Sequence, residues 1–140
     1  MTDNYLNKLN LIDLISEKHL QLREKVSQLS VDDVNKTEGH ILAVLERETR
    51  LTISEISKII HISRQGTHKC VQGLLAKQYV TILPIEGNLR DKHVMLTEKG
   101  KQCCYDLLQI KQELENQIVE KLGKKQVDAL KILLQHNWLI

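Results

Sequence analysis

The chain has 140 residues, 41% of them hydrophobic, which suffices for one soluble domain with its own core. Its formal charge of +2 excludes a global electrostatic pull toward nucleic acid, so any such affinity has to come from local clusters of charge. No stretch approaches the roughly 18 consecutive apolar residues of a membrane span, and the opening MTDNYLNKLN lacks the basic segment and apolar run of a secretory signal. A cytoplasmic protein without a membrane partner is expected.

One proline, six glycines and no phenylalanine leave few helix breakers and an aliphatic core, so the expected fold is mainly α. Between Tyr5 and Leu29 apolar residues recur at Leu9, Ile12, Ile15, Leu22, Val26 and Leu29, the spacing of one long amphipathic helix. A second helix opens near Thr37 and carries Ile41, Leu42, Val44 and Leu45. Thr52 and Glu55 form a Thr-x-x-Glu capping box ahead of Ile56, Ile59 and Ile60, which predicts a third helix of about two turns. Ser63 is the next good N-cap, leaving His61 and Ile62 as a tight turn before a fourth helix from Arg64 to about Lys77.

After Gln78 the pattern changes. YVTILPI is β-rich, EGNLRD is turn-like and KHVML alternates again, which predicts a hairpin with a long tip. Thr97 then caps a fifth helix with the stripe Leu107, Ile110, Leu114, Ile118 and Leu122, and a sixth runs from about Lys124 to Trp138.

Three short helices followed by a hairpin are the layout of a winged helix-turn-helix lobe, placed here at about 35–97 of a single domain spanning 1–140. The long flanking segments, about 4–30 and 98–140, are more apolar than so small a lobe requires. They are expected to be dimerisation helices that bury their stripes against a second copy of the chain.

With residues placed at about 100° each, Thr67, Cys70, Val71, Leu74 and Leu75 of the fourth helix share one arc. Gln65, His68, Lys69 and Gln72 share the other, with Ser63 and Arg64 at its amino-terminal edge. Gly66 and Gly73 lie seven apart on the polar side, where small residues are expected to let the helix approach another surface closely. In the major groove of DNA, Arg and Lys read guanine, Gln reads adenine, and phosphates accept charge. Taken alone, such a face reads as a solvated polar surface whose two glycines serve packing or arise by drift. The hairpin that follows, with Arg90 and Lys92 at its tip, supplies a second basic element for the same duplex.

LTISEISKIIHISRQGTHKCVQGLLAKQYV, the hairpin NLRDKHVMLTEKG and the total length resemble the MarR family of bacterial transcription regulators. The family's wing pattern, Asp-x-Arg-Asp-x-Arg, a short strand and Leu-Thr-x-x-Gly, matches Asn88, Arg90, Asp91, His93, Leu96, Thr97 and Gly100. Asn88 stands where Asp is usual, His93 where the second Arg is usual, and Gln78 where a glycine usually ends the recognition helix. The resemblance implies that Arg90 enters the minor groove with Asn88 and Asp91 beside it. It also implies a repressor that binds a pseudo-palindromic operator as a homodimer, with half-sites about 34 Å apart. A small aromatic or phenolic ligand between the dimer helices and the lobe is implied as the releasing signal.

Thiol oxidation and metal binding are the two other candidate signals. Cys103 and Cys104 lie near Lys99, Lys101 and a helix amino terminus, which lower a thiol pKa, so a redox-sensing regulator is one alternative, with one of the pair facing the core and the other a surface. Cys70 is read as a buried, inert thiol. Three cysteines without a CxxC pair argue against disulfides or structural zinc, and His19, His40, His61, His68, His93 and His136 contain no i, i+4 pair that would hold a sensory metal. His19 and His40 are candidates for lining a ligand pocket. No catalytic motif or cofactor signature occurs, so an enzyme is not expected. The remaining alternative is a winged helix that docks protein rather than DNA.

Overall fold

The computed structural model describes residues 5–139, apart from the Leu89 and Arg90 side chains. Asn4 and Ile140, the outer ends of the two expected dimerisation segments, lie outside the described residues. The elements are α1 (Leu11–Leu29), α2 (Lys36–Glu48), β1 (Arg50–Leu51), α3 (Ile53–Ile60), α4 (Arg64–Ala76), β2 (Val80–Ile85), β3 (Asn88–Leu96), α5 (Glu98–Leu122) and α6 (Lys124–Gln135). This is the helical order and hairpin expected from the sequence, with one addition, the two-residue strand β1. The chain divides into a compact unit ending at Leu107 and a second beginning at Leu108.

In the first unit, side-chain caps fix where each helix starts. The Asn10 side chain accepts from Asp13 N–H at 2.8 Å, so α1 begins at Leu11 and not at Tyr5. Asn35 with Glu38 and Thr52 with Glu55 form full capping boxes on α2 and α3, each satisfying two backbone donors reciprocally. The four aliphatic residues Ile41, Leu42, Val44 and Leu45 of α2 are fully buried, together with Ile56 of α3 and Val71 and Leu74 of α4. Burying such side chains stabilises a fold by about 1.5–3 kcal/mol each. α2 is therefore the centre of the lobe's core.

The antiparallel sheet has the order β1-β3-β2, with Leu51 opposite Val94 and Val80 opposite Leu96. The expected long hairpin tip is corrected. The turn is only Glu86 and Gly87, with Gly87 at φ +77, and the ladder slips between Pro84, opposite Lys92, and Ile85, opposite Asn88. Pro84 has no N–H to give the ladder. Within the extra length on β3, Asp91 N–H donates to Asn88 Oδ1 at 3.0 Å and Asn88 Nδ2 donates to Asp91 Oδ2 at 3.2 Å. Asn88, Asp91 and Lys92 thus belong to a strand, not to a loop.

Thr97 joins the wing to α5. Its hydroxyl accepts from Gly100 N–H at 3.1 Å and donates to Gln78 O at 2.6 Å. A Cβ at Gly100 would fall 2.1 Å from Tyr79 O, so the close approach of α5 to the start of β2 admits only glycine.

In the second unit, Leu114 of α5 and Val127 of α6 are buried, and Lys131 pairs with Glu115 at 3.3 Å. α6 ends at Gln135, short of the expected Trp138, because His136 is extended and the Trp138 indole donates to Leu133 O at 2.8 Å. Leu130, Ile132, Leu133, Leu134 and Leu139 remain exposed there. α1 likewise has no buried residue, and exposes Leu11, Ile12, Leu20, Leu22 and Leu29.

Candidate nucleic-acid interface

α3 stops where His61 turns left-handed, at φ 58 and ψ 45, and its N–H caps Ser57 O. Two residues later Ser63 is extended, its hydroxyl accepts from Gly66 N–H at 3.0 Å, and α4 begins. The Thr67 hydroxyl donates back to Ser63 O at 2.9 Å, which lets this polar residue lie fully buried. The far end of α4 is a Schellman closure: Tyr79 N–H donates to Leu74 O at 2.9 Å and Gln78 N–H to Leu75 O at 3.0 Å. Gln78 sits at φ 69, the left-handed position that glycine usually fills.

Between these ends Thr67, Val71 and Leu74 face the core, while Ser63, Arg64, Gln65, His68, Lys69 and Gln72 are exposed. His68 and Gln72 are in side-chain contact at 3.5 Å. Arg64, Gln65, His68 and Gln72 share an open cleft with Ile82, Asp91, Lys92 and Val94 of the wing. Ser63, Gly66 and Lys69 line a shallower depression on the other side of Gln65 and His68. The geometry therefore brings Arg64, Gln65, His68 and Gln72 together with Asp91 and Lys92, and leaves Ser63, Gly66 and Lys69 in the adjoining depression. Asn88 stands beside Asp91, and the Arg90 side chain lies outside the described residues.

Arg64, Lys69 and Lys92 form no ion pair among the described residues, whose cationic partners in such pairs are Lys77, Lys101, Lys124 and Lys131. The surface consequently carries cations without an ion-pair partner, with Asp91 the carboxylate among the cleft's lining residues. Thr52, Ile53 and Ser54 at the start of α3 also line the cleft. They were not singled out from the sequence. The capping box locates this helix start, but only the fold shows which side it faces. There the Glu55 carboxyl is held below its ordinary pKa by the backbone N–H and hydroxyl of Thr52, and its charge is spent on the cap.

Gly73 does not have the role expected of it. A Cβ on Gly73 would lie 2.8 Å from Glu38 Oε2, inside the protein, so its small size serves internal packing, whereas Gly66 lines the surface depression, where a Cβ would lie 3.0 Å from the capping Ser63 hydroxyl. Behind the helix, Lys77 Nζ donates to Glu38 Oε1 at 2.9 Å and to Asp33 O at 2.6 Å, which ties the end of α4 to the start of α2.

The cysteine expectation is also corrected. Cys103 and Cys104 are both buried, at 1% and 4% exposure, because the close approach of α5 at Gly100 turns its whole first face inward. The Cys104 thiol donates to Leu42 O at 3.5 Å. Burial, and then the neighbouring Asp32, push the Cys103 thiol up to about 12, the opposite of activation. Cys70 is half-buried, and its thiol is raised by burial and then by Glu38. Among the described residues no group of three His, Cys, Asp or Glu could hold a metal ion, and no helix is long and apolar enough to cross a membrane.

A tight helix-turn-helix backed by a hairpin wing, with free cations along one cleft, defines the winged-helix class. Residues 32–91 match the model of the MarR family. The chain resembles that family over these 60 of its 140 residues. It is 24% identical over 114 residues to the uncharacterized HTH-type transcriptional regulator YwhA of Bacillus subtilis (strain 168), an overlap covering 81% of this chain and 82% of that protein. Wild-type MarR from E. coli in its apo form superposes with a TM-score of 0.77 at 23% identity, covering 91% of this chain and 95% of that one. A mutant MarR from E. coli complexed with operator DNA gives 0.71 at 24% identity, covering 89% of each chain. These structural likenesses establish the shared fold.

Proposed function

We propose that the chain is a transcription regulator that binds double-stranded operator DNA as a homodimer. The observation that carries this reading is the surface on which α4 and the wing present cations without ion-pair partners, Arg64 and Lys92 in the shared cleft and Lys69 in the adjoining depression. α4 lies in the major groove, with Gln65, His68 and Gln72 at base edges and Arg64 and Lys69 at guanine or phosphate. The start of α3 and Lys92 follow the backbone, and Arg90 and Asn88 keep the wing roles implied by the family resemblance. The likeness to a MarR fold solved with operator DNA supports the same docking.

The exposed apolar residues of α1 and α6 support a dimer, since each helix leaves a stripe in water that a second copy would cover. Within this reading the protein acts in the cytoplasm as a repressor, and a small ligand releases it by favouring a spacing of the two lobes that no longer fits two half-sites. The whole chain acts as one functional domain.

Selection of bound duplexes from a random pool, repeated with Lys69→Ala, tests the reading. A palindromic site that the variant binds at least tenfold more weakly is expected. A chain that enriches no sequence, or binds with no dependence on salt, would instead be a winged helix for docking protein.

A further inference from the structure

Arg64 and Gln65 stand at the amino-terminal end of α4, and the helix is gripped at the other. Leu74 is its last buried residue, and beyond it the hold on the helix is polar. Three consecutive carbonyls there are taken by the first turn of α5 and the residue before it. Lys77 O accepts from Lys99 Nζ at 2.8 Å, Gln78 O from the Thr97 hydroxyl at 2.6 Å, and Tyr79 O from Thr97 N–H at 3.1 Å.

Lys99 is the informative member. Its ammonium also stands 4.5 Å from the centroid of the Tyr79 ring, and it forms no ion pair among the described residues. A cation at a helix carboxyl terminus is favoured by the macrodipole, and a contact with an aromatic face fixes where that cation sits. The opposite side of the same end is held by other elements. The Tyr79 hydroxyl donates to Asp32 Oδ1 at 3.1 Å, and Lys77 Nζ reaches Glu38 and Asp33. Lys99 is thus a side-chain link from α5 to the end of α4. An exposed contact of this kind contributes little to stability, so its effect is on direction.

We infer that Lys99 is a positioning residue for DNA recognition: from the first turn of α5 it pins the end of α4 and thereby sets the angle at which the recognition helix meets its half-site. The 13 residues of α4 span about 20 Å. A change of about 5° at the pinned end displaces Arg64 by about 2 Å, well beyond the roughly 0.5 Å spread of hydrogen-bond lengths. Lys99 belongs to the segment 98–140 expected to dimerise, so the angle it sets applies in both halves of a homodimer. The two recognition helices then fit one half-site spacing. The inference deepens the regulator reading above and rests on it.

Binding isotherms of the full chain on the selected duplex, with its half-sites moved apart or together by one base pair, test it. Wild-type affinity is expected to fall at least tenfold at either wrong spacing, and Lys99→Met to reduce that penalty to threefold or less. Lys99→Arg, which can keep both contacts, should restore the wild-type penalty. The salt slope and the base preference within a half-site should not change in Lys99→Met, because the ammonium lies against Lys77 O and the Tyr79 ring. Tyr79→Phe is the structural control. It removes the bond to Asp32 and leaves the ring beside Lys99, so it should lower the melting temperature and keep the spacing penalty. A wild-type chain indifferent to spacing would overturn the assignment. So would a Lys99→Met chain that weakens equally at every spacing, keeps the full penalty, or loses about one unit of salt slope, the mark of a phosphate contact. A Tyr79→Phe chain whose penalty falls as far would do the same. The two readings fail separately: a chain that enriches no duplex sinks both, whereas a sharp spacing optimum kept in Lys99→Met sinks this one alone.

Discussion

Gly73 of α4 and Glu38 of α2 divide one space, since a Cβ on Gly73 would stand 2.8 Å from Glu38 Oε2. The carboxylate is not free to yield. Its other oxygen accepts from Asn35 N–H at 3.0 Å and from Lys77 Nζ at 2.9 Å. Alanine is favoured over glycine in a helix interior by about 1 kcal/mol, whereas overpacking costs about 1–3 kcal/mol. Gly73→Ala is therefore expected to destabilise the chain by about 1 kcal/mol in urea unfolding. In a Glu38→Ala background the same change should become stabilising. A stabilising Gly73→Ala in the wild-type background would refute the packing role.

Lys77→Met probes the other side of that carboxylate. The Glu38 side chain is only 6% exposed, so removing its partner leaves a nearly buried charge with a single backbone donor. Breaking buried pairs costs about 3–5 kcal/mol, and the 28% exposure of Lys77 places this pair toward the lower end. Melting should fall by about 6–12 °C, given roughly 2–4 °C per kcal/mol for a chain close to 150 residues. Adding Glu38→Gln should restore part of the loss.

The buried thiol and phenol give a pH dependence of defined sign. Cys103 is raised from 9.0 to about 12 and Tyr79 from 10.0 to about 12, each by burial first and then by Asp32. Folding thus favours the protonated forms of both. The stability they contribute is fully present below pH 9 and is lost as the pH rises toward about 12. Denaturant midpoints should be flat with respect to these groups below pH 9 and fall above it, less steeply in Cys103→Ala. Thiol reagents at pH 8 should modify Cys70 at most, with all three cysteines reacting only on unfolding.

Three helix starts are legible in the sequence because a cap is a local event: Thr52 with Glu55, Ser63 and Thr97 all cap where their side chains allow, whereas the apolar stripe hid the equally local Asn10 cap of α1. The exposed face of α4, Arg64, Gln65, His68, Lys69 and Gln72, was legible for the same reason, as one side of a regular helix. What escaped depends on contacts distant in the chain. β1 exists only because Arg50 and Leu51 meet Met95 and Val94. Gly73 looked like a surface feature because Glu38, 35 positions earlier, is invisible to helical periodicity. The lysines and helix end near Cys103 suggested activation, but Asp32 and the close approach at Gly100 reverse it.

The proposed dimer predicts a sharp response on α6. Leu133 is 54% exposed in the single chain, so an aspartate there meets water in the monomer and hydrocarbon in a dimer. Leu133→Asp should shift sedimentation from dimer toward monomer by at least tenfold in protein concentration while far-ultraviolet circular dichroism stays helical. Wild-type chain sedimenting as a monomer at 100 micromolar, an order-of-magnitude test concentration for weak association, would count against the dimer.

Lys92 and Gln72 provide the most direct test of the interface, because phosphate contacts and base contacts leave different signatures. Each phosphate neutralised contributes about 0.9 to the slope of log affinity against log salt. Lys92, on the wing and free of ion pairs among the described residues, belongs to the backbone class. Lys92→Ala should reduce the slope by about one and weaken all duplexes alike. Gln72, on the exposed face of α4, belongs to the class that reads base edges. Gln72→Ala should leave the slope unchanged and relax sequence preference at one position of each half-site, at a cost of about 1–3 kcal/mol. If both variants instead alter the slope equally, or neither does, the division of labour between helix and wing is wrong.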